Sequence, residues 1–137
     1  MTPEILARIA AARAHRDLSD LARQALADTA VPSSASERIE RSRRLRQMTN
    51  QITDLTVLAE ALGGASWEEI AGALGRRDPG TVRAEYEEAV SEWQALTEEQ
   101  MVAAADGIEA LDAWYERHRE DHDPQTLTPV NNLLNRR

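Results

Sequence analysis

The chain has 137 residues, no cysteine and a formal net charge of −8. These values exclude a disulfide framework and a thiolate metal site, and they leave room for one domain with a modest core or a small domain with long helical arms. No run approaches the roughly 20 apolar residues needed to span a bilayer, and no basic-then-apolar leader opens the chain, so a cytoplasmic protein without a membrane segment is expected. All 16 basic residues are arginine, a composition that suits a GC-rich, actinobacterial-type coding source.

In chain order the pattern is helical throughout. Thr2, Pro3 and Glu4 form a start signal: a hydroxyl cap, a residue with preset φ, and a carboxylate suited to the helix dipole. Ala7, Ala11, Ala14, Leu18, Leu21 and Ala25 then recur at heptad spacing, a small-residue seam that allows close helix approach. Residues 1–30 are therefore read as an N-terminal helical arm. The stretch from Thr29 to Ser36 holds Pro32 and three serines and breaks the helix. Ser34 with Glu37 forms a capping box for a second helix, whose Leu45, Met48, Ile52, Leu55, Ala59 and Leu62 repeat the seam until Gly63 and Gly64 end it. Two matching seams predict an antiparallel hairpin or a dimer built from exchanged arms.

From Ala65 to Tyr86 the chain reads ASWEEIAGALGRRDPGTVRAEY, two short helices joined by a glycine-bearing turn, the layout of a helix-turn-helix. Ser66 and Glu69 form a capping box, and Trp67, Ile70, Ala71 and Leu74 make one apolar stripe. Gly75 sits where the chain leaves the helix through a left-handed conformation. Asp78 and Pro79 start the next helix, from which Val82, Tyr86 and Val90 are expected to pack against the first.

This stretch resembles the small three-helix DNA-binding domains common in bacterial regulators, in which a Trp-x-x-Ile-Ala-x-x-Leu-Gly helix precedes the recognition helix. The resemblance covers about 22 residues, or about 45 with the preceding helix, and places a helix-turn-helix domain at 35–96. It differs in Arg76, which follows the glycine where an apolar residue is usual, and in Val82, seven positions after Gly75, which makes the turn one residue longer. The resemblance implies that Ala71 permits close helix crossing, that the helix from Pro79 enters the major groove of double-stranded DNA, and that Thr81 and Arg83 face outward to reach base edges.

Beyond this unit the helical pattern continues to Leu96, and Thr97 with Gln100 marks a fresh start. Met101, Ala105, Ile108, Leu111 or Asp112, and Tyr115 stripe an acidic C-terminal helix assigned to 97–123, with Trp114 beside it. The aromatic residues here read as core or interface anchors. The helix should stop at Pro124, leaving 124–137 as a tail, decorated by Leu127, Pro129, Val130, Leu133 and Leu134, that docks on a partner subunit or stays loosely ordered.

Charge divides unevenly along the chain. Residues 1–84 carry 12 Arg against 11 acids, while residues 85–123 carry 2 Arg against 13. Within the first part, Arg38, Arg41, Arg43, Arg44 and Arg46 oppose only Glu37 and Glu40. Together with Arg76 and Arg77 they are the candidate phosphate contacts, provided that both groups share a face. Glu85, Glu87 and Glu88 lie on the helix of Arg83 and oppose such binding. An equally simple reading makes the arginines solvated helix faces paired with neighbouring carboxylates.

Catalytic patterns are thin. His118 and His122 stand four apart on the expected helix, without an evident third ligand, and His15 stands alone. No phosphate loop, nucleophile elbow or apolar carboxylate pair is present. The expectation is therefore an all-α helical bundle containing a helix-turn-helix, with long N- and C-terminal helices. It is read as a non-enzymatic homodimer without cofactor or metal, acting on DNA in transcription regulation or DNA organisation. The alternative is an acidic adaptor or DNA mimic that binds a protein partner through 85–123 or the tail.

Overall fold

A computed structural model describes residues 1–124 and 126–135; residues 125, 136 and 137 of the expected tail lie outside the described residues. The chain is all-α, and no strand occurs among the described residues. Among the described residues six helices follow one another: α1 (Pro3–Asp28), α2 (Ala35–Leu62), α3 (Trp67–Ala73), α4 (Pro79–Gln94), α5 (Glu98–Ala104) and α6 (Ile108–His118), with a 3₁₀ turn at Asn131–Asn135.

The predicted caps form. Thr2, Ser34, Ser66 and Thr97 each accept, through the side-chain hydroxyl, the backbone N–H three residues on, satisfying donors that helix geometry leaves orphaned. Only at Thr97 is the reciprocal bond made as well, from the Thr97 N–H to Gln100 Oε1 at 2.9 Å.

The first two helices form an antiparallel hairpin within one chain, so the N-terminal segment is half of a hairpin rather than a separate arm. At the open end Ala7 is fully buried against Leu58 and Ala59; a methyl side chain at this point is what lets the two backbones approach. The other face of α1 carries Ile5, Leu6 and Ile9, which pack with Ile108, Leu111 and Val130. A third cluster joins Val57 of α2, Ile70 and Ala71 of α3, and Val82 of α4. Trp93 packs against both of the first two clusters and ties the end of α4 into the centre.

Three expectations are corrected. The helix assigned to 97–123 is two helices: α5 ends at Ala104, Gly107 turns the chain at φ +80°, and α6 stops at His118 because Arg119 is extended. Arg13 of α1 reaches this break, donating from Nη1 to the Ala104 carbonyl at 2.7 Å and from Nη2 to the Asp106 carbonyl, and so satisfies acceptors that the end of α5 leaves open. Second, Val90 packs on the hairpin with Leu58 instead of on α3. Third, the tail docks on its own chain. Val130 is buried, Leu133 packs beside it, and the buried Asp112 carboxylate accepts the Val130 N–H at 2.8 Å and the Asn131 N–H at 3.0 Å.

Candidate nucleic-acid interface

The end of α2, the helix α3 and the start of α4 form the tri-helical unit. After α3 the Arg76 N–H bonds the Ala71 carbonyl at 2.9 Å and the Gly75 N–H bonds the Gly72 carbonyl at 3.1 Å, with Gly75 at φ +71° between them. This paired arrangement closes a helix by satisfying its last carbonyls, and it requires the left-handed residue that glycine supplies. The same closure ends α2 through Gly64 at φ +96°. Val82 is fully buried, while Trp67, Leu74 and Tyr86 flank the cluster and keep part of their surface in solvent.

Three residues after Gly75, Asp78 caps α4. Its Oδ1 accepts the Gly80 N–H at 3.0 Å and its Oδ2 accepts the Thr81 hydroxyl at 2.5 Å. The Thr81 and Gly80 hydrogen bonds hold the Asp78 carboxyl below the usual carboxylate range. Thr81 and Arg83 are exposed on α4. Neither is idle: the Thr81 hydroxyl is committed to Asp78, and Arg83 Nη2 stands 3.4 Å from Glu87 Oε1. Arg76 Nη1 lies 2.7 Å from both carboxylate oxygens of Glu85. Arg77 is exposed, with no ion pair among the described residues.

The arginines of α2 sit elsewhere. Arg38 donates to the Ser33 carbonyl, Arg41 lies 3.6 Å from Asp28, and Arg43 lies 3.3 Å from Glu40. Arg44 and Arg46 are exposed without an ion pair among the described residues. All five belong to the outer half of the hairpin, whereas α3 and α4 pack on Val57 and its neighbours. At 1.5 Å per residue, Arg46 is about 16 Å and Arg38 about 28 Å from the level of Val57. The two basic groups therefore lie on different elements, one on the outer half of α2 and the other on the turn after α3 and the start of α4.

Sequence reasoning missed Asp54, whose Oδ1 accepts the Tyr86 hydroxyl at 2.7 Å across the α2–α4 crossing. No local signal marks it, because its partner lies 32 positions away. His118 and His122 do not share a helix, since α6 ends at His118. His118 stacks on Trp114 with ring centroids 4.5 Å apart, its Nδ1 2.7 Å from the Trp114 carbonyl and its Nε2 3.3 Å from Arg23. No group of three or more metal-binding side chains gathers among the described residues, and no helix there is long and apolar enough to cross a membrane. Comparison with known protein families, curated proteins and solved structures finds no match to this chain.

Proposed function

We propose that this protein is a helix-turn-helix DNA-binding protein, acting as a homodimer in the cytoplasm in transcription regulation or DNA organisation. The observation that carries the reading is the turn itself. Gly75 and the Asp78–Pro79 start hold α4 across α3 and the end of α2, with Val82 buried beneath and Gly80, Thr81, Arg83 and Ala84 exposed to solvent, which suits a recognition helix presented to a major groove. In this reading Arg83 and Thr81 reach base edges after exchanging Glu87 and Asp78 for DNA, while Arg77 and Arg76 hold phosphate. The arginines of the outer hairpin, Arg38, Arg41, Arg43, Arg44 and Arg46, are further candidate phosphate contacts on a separate stretch of α2.

The test compares the wild-type chain with the double variant Arg77→Ala/Arg83→Ala on a labelled duplex. Both side chains are exposed, so helicity by circular dichroism should not change, while affinity should fall about tenfold or more for two lost phosphate or base contacts. Equal affinity of the two proteins removes α4 from the interface.

A second reading draws on the carboxylates. Glu85 holds Arg76, Glu87 holds Arg83, and Glu88 and Glu92 are exposed on the same helix. A helix so provided with its own anions is suited to a basic protein surface, as an acidic adaptor or DNA mimic. Failure to bind duplex even at low salt would favour this second reading.

A further inference from the structure

The outer half of the hairpin lacks a core. Ala14 and Ile52 are buried, and not one of the 37 residues between them is. Leu18, Leu21, Leu45 and Met48 are only half-buried, while Leu26 and Ile39 are exposed at 73% and 63%. A pair of helices with no buried side chain has little to offset its ordering entropy. The whole molecule carries the same mark. Its accessible surface is 9253 Å², whereas a compact monomer of 15.2 kDa should expose about 7,100 Å². The difference, about 2,100 Å², exceeds the ~800 Å² per partner that a standard interface covers.

What fits this arm is a second copy of it. On α2 the exposed residues Arg44, Gln47, Gln51 and Asp54 recur at intervals of 3, 4 and 3, so they line one face of the helix. That spacing reads the same in both directions. Two α2 helices laid antiparallel about a two-fold axis at the level of Thr49 bring Arg44 opposite Asp54 and Gln47 opposite Gln51, twice over. Asp54 opens into a groove of about 460 Å³ between α2 and α4, where Glu85, Tyr86, Leu55 and Trp93 also line the wall. Tyr86 occupies Asp54 Oδ1 only, so Oδ2 is available. Arg44 is exposed and has no ion pair among the described residues. A guanidinium entering this groove meets the Asp54 carboxylate, which attracts it, in a wall shared with Tyr86 and Trp93.

We infer that the chain forms a two-fold dimer in which the outer hairpin of each copy lies along the α2–α4 groove of the other, with Arg44 of one copy seated against Asp54 of its partner. This specifies the surface behind the homodimer part of the proposed function. Because the measurements contain no DNA, their failure leaves the reading of α4 as a DNA contact standing, and failure of DNA binding leaves the dimer standing.

The experiment is sedimentation equilibrium across the micromolar range. The wild-type chain should run at twice its 15.2 kDa mass, and Arg44→Glu should weaken the dimer about tenfold or more by placing carboxylate against carboxylate at two symmetric contacts. Because the chain has no cysteine, a second measurement fixes the register. Chains carrying Gln47→Cys, mixed with chains carrying Gln51→Cys, should form a disulfide-linked dimer on mild oxidation faster than either variant alone. A wild-type chain that stays monomeric overturns the proposal and assigns the arm to a different partner. A dimer that is indifferent to Arg44→Glu and shows no preferred cross-link places the interface on another face and overturns it equally.

Discussion

The Tyr86 ring lies half-buried between α2 and α4, and its hydroxyl donates to Asp54. Burial first, then the hydrogen bond and charge of Asp54, push its pKa from the ordinary 10.0 up to about 12. The folded-state value lies above the unfolded one, so the associated stability is complete below about pH 10 and is lost as pH rises towards about 12. An ultraviolet titration in a Tyr115→Phe background should show one phenolic transition near 12, and Asp54→Asn should move it towards 10. A transition at 10 before that substitution would contradict the buried pairing. Asp112 makes a second residue-scale case. Replacing it with alanine strands the N–H groups of Val130 and Asn131, one of them on a buried residue, at a cost of about 1–3 kcal/mol. The docked segment around Val130 and Asn131 should then become sensitive to protease. Unchanged stability and unchanged cleavage would mean that Leu133 and Val130 hold the tail without it.

Among the elements, α3 offers two glycines whose substitution should act in opposite directions. Gly75 stands at φ +71° with nothing within 4 Å of an added Cβ, so Gly75→Ala costs only backbone strain, about 1–2 kcal/mol. Gly72 lies inside the helix, equally open, and Gly72→Ala should stabilise by about 0.4–1 kcal/mol through the unfolded chain. Thermal melts of the two variants check the pair, and a shift of the same sign in both would contradict the assigned turn. The turn was legible in the sequence because its signals are local: a cap, a stripe, a glycine and an Asp-Pro start. The break between α5 and α6 was not. Met101, Ala105, Ile108, Leu111 and Tyr115 keep helical spacing across it, so the periodicity passes through Gly107 unaltered, and the Asp106–Gly107 pair, a turn signal in itself, is outvoted by the stripe. Val90 was assigned to α3 for a similar reason, since spacing gives its face on α4 but not which neighbour that face meets.

On the scale of the whole molecule, a dense end and a bare end follow from how the seams are filled. Near the open end alanines alternate with Ile5, Leu6 and Ile9, and three other helices and the tail close over them; towards the tip no side chain is buried, and α6 reaches α1 there by polar contacts, Trp114 with Asp20 and His118 with Arg23. Amide hydrogen exchange at concentrations where the chain is monomeric should therefore be slow over residues 5–14 and 52–62 and fast over 15–51, because local opening follows the density of buried contacts. Uniform protection along both helices would contradict that gradient. The seams themselves were legible as heptads, but periodicity carries no information about what lies on a helix's far side. The position of the five outer arginines relative to α4 was hidden for the same reason, since it depends on where α3 and α4 dock along α2.

The central claim is that α4 is presented to DNA, and it is tested most directly by fluorescence anisotropy of a labelled duplex titrated with the wild-type chain at about 50 and 200 mM salt. Binding at the lower salt that weakens steeply at the higher is expected, as phosphate contacts through Arg76 and Arg77 require. No binding at the lower salt would contradict it and leave the carboxylates of α4 as the surface that meets a partner.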